Sequence, residues 1–514
     1  MKKAMKFFSM AVCFVAMATM IGCAKDNELA NNDKVVISTV TVGLESADAS
    51  KLLDNSGANL TRVFSVGEKI AMVYENQSSE LVKAEVTLAA GDITNAGKTA
   101  TITVAMTNPK TNGTVKLIYP ASMANNDGTV NWDALYNNQN GTLGTLSSNF
   151  DFSMFEGTLD GTILPADPVM ASQVAICKFT VKDAGTPFTS SVTKLTVKNG
   201  SDIYSVTPNT SLDAIWVAVK PVTSGDIKLY VARGKALYTK TVTGKTLAAN
   251  TPYAIGLTPT LVPGAVSGFF RVNNTGKLVY FSQGNLRYES GAWSFFPNQY
   301  DHYSTYSADA WDKFGWSTAA TTYGMNTSQN KDDYSGNFVD WGTNAISNGG
   351  NTANSGWRTL TGQSSDEWDY LFVYRKSGST VNGTTNARYT HATINTDGTG
   401  VNGIILFPDG VTIANSEATT WGTINGTSSW GTRCTTAQWA ALEAKGCVFL
   451  PAAGVRNGSA VNNASTKGYY WSSSPFVSGD NYANFLYFTS GVLTTWGNSS
   501  RDKGCSVRLV RQVE

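Results

Sequence analysis

Residues 35–42 of the chain read VVISTVTV, and this stretch decides the class of fold. It is rich in β-branched side chains, and apolar and polar positions alternate through its second half. Because successive side chains of a strand point to opposite faces, this alternation predicts a strand with one buried face. The stretches TATITV at 99–104 and KLYVA at 228–232 have the same character. The first half of the chain is therefore predicted to be all-β.

Short turn motifs separate these strands. Asn-Gly at 112–113 and 199–200 and Asp-Gly at 127–128 are typical of tight hairpin connections. Only 15% of the residues are charged, and the chain contains 48 glycines, a composition typical of a turn-rich secreted β-protein. Short strands with regular turns predict one or two β-sandwiches within residues 35–257.

Five short motifs in this region suggest a family. They are TR at 61–62 followed by GEKI at 67–70, YPA at 119–121, DPVMA at 167–171 and LAANTPYAI at 247–255. Together they resemble the fimbrillin-like lipoproteins of Bacteroides relatives. The resemblance implies a pilus subunit or a stalk, and thus assembly or spacing rather than chemistry.

The distribution of tryptophan marks a boundary between two halves. Of the 13 tryptophans, only Trp132 and Trp216 precede residue 290. The change follows residues 258–264, TPTLVPG, where two prolines oppose regular strand pairing and predict a linker at 258–265. Beyond it, GFFRV at 268–272 and KLVYFSQGNLRY at 277–288 flank NNTG, which predicts a hairpin.

Two helices are predicted in the second half. Ser364 with Glu367 forms a potential capping box, and Thr435 with Gln438 forms another. Gly446 is suited to the position just after the second helix. With the surrounding strands and long loops, residues 266–514 are predicted to form a compact α+β domain.

Six motifs in register link this domain to a second family. They are YFSQGNL at 280–286, WGTNAISNGGN at 341–351, WRTLT at 357–361, FLPAAG at 449–454, GYYWSSS at 468–474 and SVRLVR at 506–511. In this order they resemble the C-type-lectin-fold domains of Bacteroides-group surface proteins, which are related to the formylglycine-generating-enzyme fold. Many such domains are variable proteins of diversity-generating retroelements. The resemblance implies a C-type lectin fold with a hypervariable binding face near the C-terminus.

Residues 475–505 are the candidate binding segment. Ala483, Leu486, Phe488 and Val492 are predicted to face the core. The predicted ligand-binding residues mix aromatic and small polar side chains, as antibody paratopes and binding hot spots do. They are Phe476, Val477, Ser478, Asp480, Asn481, Tyr482, Asn484, Tyr487, Thr489, Thr494, Thr495, Trp496, Asn498, Ser499, Asp502 and Lys503. By composition alone, an ordinary turn-rich edge fits equally well, and the family resemblance favours the ligand face.

The N-terminus has the features of a lipoprotein signal. Lys2, Lys3 and Lys6 precede an apolar run at 7–20, which predicts a signal peptide at 1–22. Cys23 would then be the lipidated first residue of a tether at 23–34, with an ordinary signal peptide as the alternative. The polar residues AKDNE at 24–28 resemble surface-export signals of Bacteroides-group lipoproteins. These features predict an outer-membrane protein that is anchored by lipid and faces the cell exterior.

Several other functions are disfavoured. A net charge of +1 argues against a nucleic-acid partner. GTGVNG at 398–403 matches a dinucleotide motif, but a strand follows it where a helix is needed, so a hairpin loop is predicted. The chain has only two histidines, His302 and His391, and His391 is expected to be structural. Neither a G-x-S-x-G nor an H-E-x-x-H motif is present. The protein is predicted not to be an enzyme and to need no cofactor or metal.

The cysteines and loop carboxylates leave two alternatives to weigh. Cys177, Cys434, Cys447 and Cys505 are interpreted as buried apolar residues, and they do not match the copper-binding pair of formylglycine-generating enzymes. The loop carboxylates suggest either a calcium site or, as preferred, solvated charges. They are Asp301, Asp309, Asp312, Asp332, Asp333 and Asp340.

The sequence therefore predicts a cell-surface lipoprotein that displays a binding domain for an unidentified protein or glycan. The alternative is a fimbrial subunit or tip adhesin whose partner is another pilus component. A more distant alternative is an oxidase-like enzyme on the same fold.

Overall fold

The structure is a computed structural model that describes residues 33–45, 63–183, 185–350, 355–396, 399–477 and 481–514. Strands dominate these residues, and the helices are few and short. No helix in the described ranges is both long and apolar enough to cross a membrane. The signal peptide, Cys23 and almost all of the tether lie outside the described residues, so the lipid anchor stays a prediction.

Eight strands form the first unit of the fold. They are β1 (Val35–Leu44), β2 (Lys69–Glu75), β3 (Leu81–Thr87), β4 (Ile93–Thr94), β5 (Thr99–Thr107), β6 (Thr114–Tyr119), β7 (Ser153–Thr158) and β8 (Val169–Ser172). They are hydrogen-bonded in the order β3-β2-β6-β7-β8-β1-β5-β4. Val42 and Ile102 from one end of this sheet share a core with Ile70 and Leu117 from the other end. The sheet is therefore folded onto itself as a β-sandwich.

Nine further strands form a second sandwich. They are β9 (Ala175–Asp183), β10 (Thr186–Pro187), β11 (Lys194–Asn199), β12 (Asp202–Val206), β13 (Ile215–Val219), β14 (Val222–Arg233), β15 (Ala236–Leu247), β16 (Pro252–Leu257) and β17 (Thr260–Leu261). β9, β10, β13 and β16 form one sheet, and the other has the order β12-β11-β14-β15-β17. Phe179 and Leu229, one from each sheet, share a core. The predicted strands are thus confirmed, and the sandwiches number two.

The predicted linker at 258–265 is only partly a linker. Thr260 and Leu261 pair with Thr239 and Tyr238 as the last strand of the five-stranded sheet. Val262 is buried beside them. The flanking prolines do not prevent this pairing because the strand is two residues long and lies at the edge, where proline is tolerated.

Beyond Leu261, the described residues contain eighteen short strands. They are β18 (Phe270–Arg271), β19 (Leu278–Phe281), β20 (Leu286–Glu289), β21 (Ala292–Phe295), β22 (Ala310–Trp311), β23 (Thr380–Val381), β24 (Thr384–Thr385), β25 (Tyr389–Thr396), β26 (Thr399–Leu406), β27 (Thr412–Ile413), β28 (Thr432–Thr435), β29 (Val448–Pro451), β30 (Val455–Asn457), β31 (Ala460–Asn462), β32 (Gly468–Pro475), β33 (Tyr482–Phe488), β34 (Leu493–Ser500) and β35 (Val510–Gln512). β18 pairs with β19 across the NNTG turn, as predicted.

Four α-helices accompany the strands: α1 (Asp133–Asn137), α2 (Leu143–Asn149), α3 (Glu367–Asp369) and α4 (Thr436–Ala444). A π-helical turn at Tyr370–Tyr374 continues α3. Short 3₁₀ turns occur at Asn95–Gly97, Ala121–Met123, Thr189–Ser191, Lys331–Tyr334, Trp341–Thr343 and Asn415–Glu417.

The two predicted capping boxes have different outcomes. At α4 both halves form: Gln438 N–H donates to Thr435 Oγ1 at 3.1 Å, and Thr435 N–H donates to Gln438 Oε1 at 2.9 Å. Gly446 follows with a φ of +86°, as a residue just beyond a helix end requires. At α3 the prediction is wrong, because the N-cap is Asp366 rather than Ser364. Both carboxylate oxygens of Glu367 bind Arg358 at 2.6 Å, so they do not cap the helix.

The C-terminal part packs directly on the second sandwich. The rings of Tyr230 and Phe269 meet edge to face, with centroids 5.3 Å apart. Tyr230 also donates to the backbone carbonyl of Glu514 at 3.2 Å, and the Ser267 hydroxyl donates to the carbonyl of Gly234 at 2.9 Å. These contacts fix the two parts against each other.

Candidate ligand-binding face

The predicted binding segment folds into the antiparallel sheet β32-β33-β34. Alternate side chains of this sheet enter two different cores. Tyr470, Leu486 and Phe488 lie in one, and Trp471 and Phe485 lie in the other. The sheet is therefore anchored on both faces, and only its margins and turns are free to meet a partner.

A tyrosine cluster lies at the margin of the second face. The ring centroids of Tyr469 and Tyr487 are 4.9 Å apart, and that of Tyr469 lies 5.7 Å from that of Phe485. Thr494 is the cross-strand partner of Tyr487 on the other side. Both tyrosines and Thr494 are half-buried. Burial raises the pKa of Tyr469 to about 12, so its hydroxyl stays protonated at neutral pH and can donate a hydrogen bond.

Tyr469 is a functional candidate that the sequence analysis missed. It lies before residue 475, inside the GYYWSSS motif and outside the predicted binding segment. Its neighbour Tyr470 is fully buried, whereas Tyr469 is half-exposed, as the period of two in a strand requires. Alternation places the two tyrosines on opposite faces, but only the packing of the sheet shows which of them is exposed.

The most exposed candidates are apolar. Phe476, Val477 and Trp496 are 39%, 51% and 50% exposed, and Asn498 is also exposed. The register between β33 and β34 shifts between Phe485 and Tyr487, which places Trp496 in a bulge outside the paired ladder. Large exposed apolar side chains are a feature of interaction surfaces.

Other candidates are half-buried: Asn481, Tyr482, Thr489, Ser499 and Lys503. Asn481 donates its side-chain amide to the carboxylate of Asp332, and Lys331 lies 5.2 Å from the ring centroid of Tyr482. Lys503 donates to Asn457 at 2.9 Å. These contacts hold the edge of the sheet against neighbouring loops.

Three predicted ligand residues do not face solvent. Asn484, Thr495 and Asp502 are 3%, 6% and 2% exposed. Thr495 donates to Asp369, and Lys503 donates to Asp502 at 2.9 Å, so both residues are engaged inside the fold. Their polarity suggested a surface, but the two-sided burial of the sheet places Asn484 and Thr495 inside, and Asp502 is buried in the turn after β34.

The remaining positions of the segment have mixed outcomes. Ser478 and Asp480 lie outside the described residues. Of the four residues predicted to face the core, Ala483, Leu486 and Phe488 are fully buried. The prediction is wrong for Val492, which is 46% exposed because it lies in the turn between β33 and β34.

The glycine motif, His391 and the cysteines, to which the sequence assigned no function, form parts of the scaffold. The residues of the G-x-G-x-x-G motif from Thr399 onward lie in β26 rather than in a loop, although the predicted hairpin with β25 is confirmed. His391 lies on β25, as predicted, and is fully buried. The four cysteines Cys177, Cys434, Cys447 and Cys505 are buried and unpaired.

The loop carboxylates have mixed outcomes: Asp309, Asp332 and Asp333 are exposed, as predicted, whereas Asp301, Asp312 and Asp340 are partly or fully buried. Asp312 is 3% exposed and pairs with buried Lys313 at 2.9 Å. Asp340 accepts hydrogen bonds from the backbone of Gly342 and Thr359. Within the described ranges, no three His, Cys, Asp or Glu side chains converge as a metal site would require.

Comparisons with known proteins give only a distant likeness. No family model matches the chain, and no curated protein matches it. Similar solved structures include a fimbrial protein from Bacteroides ovatus, at 8% identity and a TM-score of 0.24, which covers 92% of this chain and 99% of that one. A fimbrial assembly protein from Parabacteroides distasonis, at 11% identity and a TM-score of 0.26, covers 48% of this chain and 96% of that one. At TM-scores below 0.5, these likenesses carry no weight for fold or function.

Proposed function

We propose that the protein is a cell-surface adhesin that binds a protein partner through the margin of the β32-β33-β34 sheet. The contact surface comprises the tyrosine cluster with Thr494, and the exposed side chains of Phe476, Val477 and Trp496. We further propose that residues 266–514 form a C-type lectin fold, that Cys23 carries the lipid anchor and that the two sandwiches act as the stalk.

One observation carries this proposal: large uncharged aromatic side chains remain exposed on a sheet that is otherwise rigidly anchored. Trp496 is 50% exposed, and Tyr469 and Tyr487 of the same sheet are half-exposed. Aromatic anchors of this kind dominate binding energy at protein interfaces, since they give a large contact area at a small cost in side-chain entropy. A rigid support lowers that cost further.

A retroelement-diversified face is the finer form of the proposal, and burial limits it. Asn484, Thr495 and Asp502 are packed inside the fold, so their free exchange would destabilise the sheet. Diversification would therefore fall on the exposed positions, such as Phe476, Val477, Trp496 and Asn498. It requires a neighbouring reverse transcriptase gene and a near-copy of the coding DNA that differs at adenines. If neither is present, the face has a fixed sequence and a fixed partner.

A photo-crosslinking experiment tests the adhesin function. The photoreactive residue p-benzoylphenylalanine replaces Trp496 in the full chain displayed on cells, and it replaces the exposed Tyr374 in a matched control. We expect an adduct of one partner from position 496 and none from position 374. Tyr487→Ala in the same chain should remove the adduct.

The mass of the adduct distinguishes the alternatives. A single species of foreign mass supports the adhesin. A ladder in steps of the chain's own mass would instead identify a fimbrial subunit. The absence of any adduct at position 496, or equal adducts at both positions, would refute binding through this face.

A further inference from the structure

A cleft lies between the second sandwich and the C-terminal part, away from the β32-β33-β34 sheet. Its volume is about 950 Å³. Residues 137–140, 190–194 and 207–211 line one wall, and residues 408–412 and the end of α4 line the other. Clefts of about 300–1,000 Å³ at such junctions are common ligand sites. The Tyr230–Glu514 and Ser267–Gly234 hydrogen bonds keep its walls at a fixed separation.

The chemistry of the lining is that of a site for a hydroxylated ligand. Hydroxyl and amide side chains are frequent on the sandwich wall, among them Asn138, Ser190 and Thr210. No aromatic residue is among the residues that line the cleft. A surface of this kind offers many hydrogen bonds and no aromatic ring for stacking. It therefore favours a polar ligand with several hydroxyl groups.

Three charged residues line the cleft, and two of them are already paired. The carboxylate of Asp409 accepts from Arg375 at 2.6 Å and from the backbone N–H of Arg271 at 3.0 Å. Lys445 forms a 2.7 Å ion pair with Glu417. Neither residue therefore has its full charge available to a ligand.

Lys194 is the third charged residue, and it is half-buried and less fully hydrogen-bonded than the other two. Its ammonium group donates only to the backbone carbonyl of Asp409, at 3.5 Å, the long limit of a hydrogen bond. An ammonium group has three donors, so two are left without a partner among the described residues. Burial lowers the pKa of Lys194, and the charge of Asp409 opposes this effect. The two free donors can bind an anionic ligand, and a carboxylate supplies oxygens that accept from both of them.

We propose that this cleft binds an acidic saccharide, with the carboxylate of a uronic acid paired to Lys194 and the sugar hydroxyls bonded to the polar wall. The carboxylate would bond to the two free donors of the ammonium group, and the hydroxyls would bond to the hydroxyl- and amide-rich lining. This site is separate from the tyrosine cluster, so the protein has a saccharide site in addition to its protein-binding face.

Calorimetric titration of the full chain with tetragalacturonate tests the proposal. The methyl ester of the same saccharide serves as the neutral control ligand, and tetraglutamate serves as an acidic ligand without hydroxyl groups. We expect tetragalacturonate to bind and the two control ligands not to bind. Lys194→Met should lower the affinity for tetragalacturonate by roughly tenfold or more. Lys240→Met removes an exposed lysine outside the cleft and should leave the affinity unchanged.

Thermal unfolding gives a second, independent readout. Lys194→Met should raise the melting temperature of the free protein, because it removes a group whose charged form is disfavoured by partial burial. Saturating tetragalacturonate should raise that of the wild type but not that of Lys194→Met. Three outcomes would each overturn the proposal. They are equal affinity of the wild type and Lys194→Met for tetragalacturonate, equal binding of tetragalacturonate and its methyl ester, and stronger binding of tetraglutamate than of tetragalacturonate. None of these outcomes bears on crosslinking at position 496, so the two functions fail separately.

Discussion

The hydroxyl of Thr495 donates a 2.6 Å hydrogen bond to Oδ1 of Asp369, and both residues are buried. The bond joins β34 to the single turn of α3. The other oxygen of Asp369 accepts from the backbone N–H of Ser365 at 2.8 Å. A buried carboxylate is tolerated only when its oxygens are hydrogen-bonded, so Thr495 supports the sheet from behind its exposed margin.

We expect Thr495→Val to lower the free energy of unfolding by about 2 kcal/mol, because it leaves a buried carboxylate oxygen without its donor. Thr495→Ser keeps the hydroxyl, and it should lower the free energy of unfolding by less than half as much as Thr495→Val does. Urea unfolding of the two variants measures both values. Equal stabilities of the valine and serine variants would show that the hydrogen bond contributes nothing.

His391 makes stability sensitive to acid. Burial lowers its pKa to about 4, against a smaller opposing effect of the backbone of Thr489. Between pH 6.5 and 4, the unfolded chain binds a proton that the folded chain does not, so stability falls as the pH falls through this window. The loss amounts to about 3 kcal/mol at full effect.

His391→Phe should remove this part of the pH dependence, because phenylalanine cannot be protonated and suits the surrounding rings of Tyr389, Trp430 and Phe488. Urea unfolding at pH 7, 6, 5 and 4 gives the comparison. His302 is present in both proteins and cancels in the difference. Parallel pH curves for the two proteins would contradict the prediction.

The four unpaired thiols should be inert in the folded protein. Burial raises the pKa of Cys177 and Cys434 to about 12, and it raises the pKa of Cys447 and Cys505 further. Because the thiolate is the reactive form, Ellman's reagent at pH 8 should label none of them in a chain that lacks residues 1–23. All four should react in guanidinium chloride. Rapid labelling of a native thiol would favour the oxidase-like alternative.

Gly446 lies where the end of α4 meets the second sandwich. Its φ is +86°, and a Cβ there would lie 2.5 Å from the Cα of Gly268. Gly446→Ala should therefore lower the free energy of unfolding by about 3 kcal/mol, through backbone strain and overpacking together. Gly276→Ala is the matched control, because Gly276 has a φ of +88° and open space at its Cβ. Gly276→Ala should lower the free energy of unfolding by only about 1 kcal/mol. Similar losses in both variants would show that the contact with Gly268 can relax.

Those features of the fold that depend on neighbours in the chain were predictable from the sequence. The alternation in VVISTVTV gave β1, and the NNTG turn gave the β18–β19 hairpin. Thr435 and Gln438 gave the start of α4, because a capping box needs only residues three apart. Burial of the cysteines also followed from their residue type.

Features that depend on distant partners were decided by the tertiary structure alone. Arg358 takes the carboxylate of Glu367, so the cap predicted at Ser364 does not form. Asp369 and the two cores bury Thr495 and Asn484 within the binding segment, whereas Tyr469, from outside it, joins the exposed margin. Periodicity assigns side chains to the two faces of a strand, but it does not predict which other elements cover each face. The sequence indicated that Ala483, Leu486 and Phe488 face the core, and packing against α3 and the surrounding cores determined which of their neighbours are left to meet a ligand.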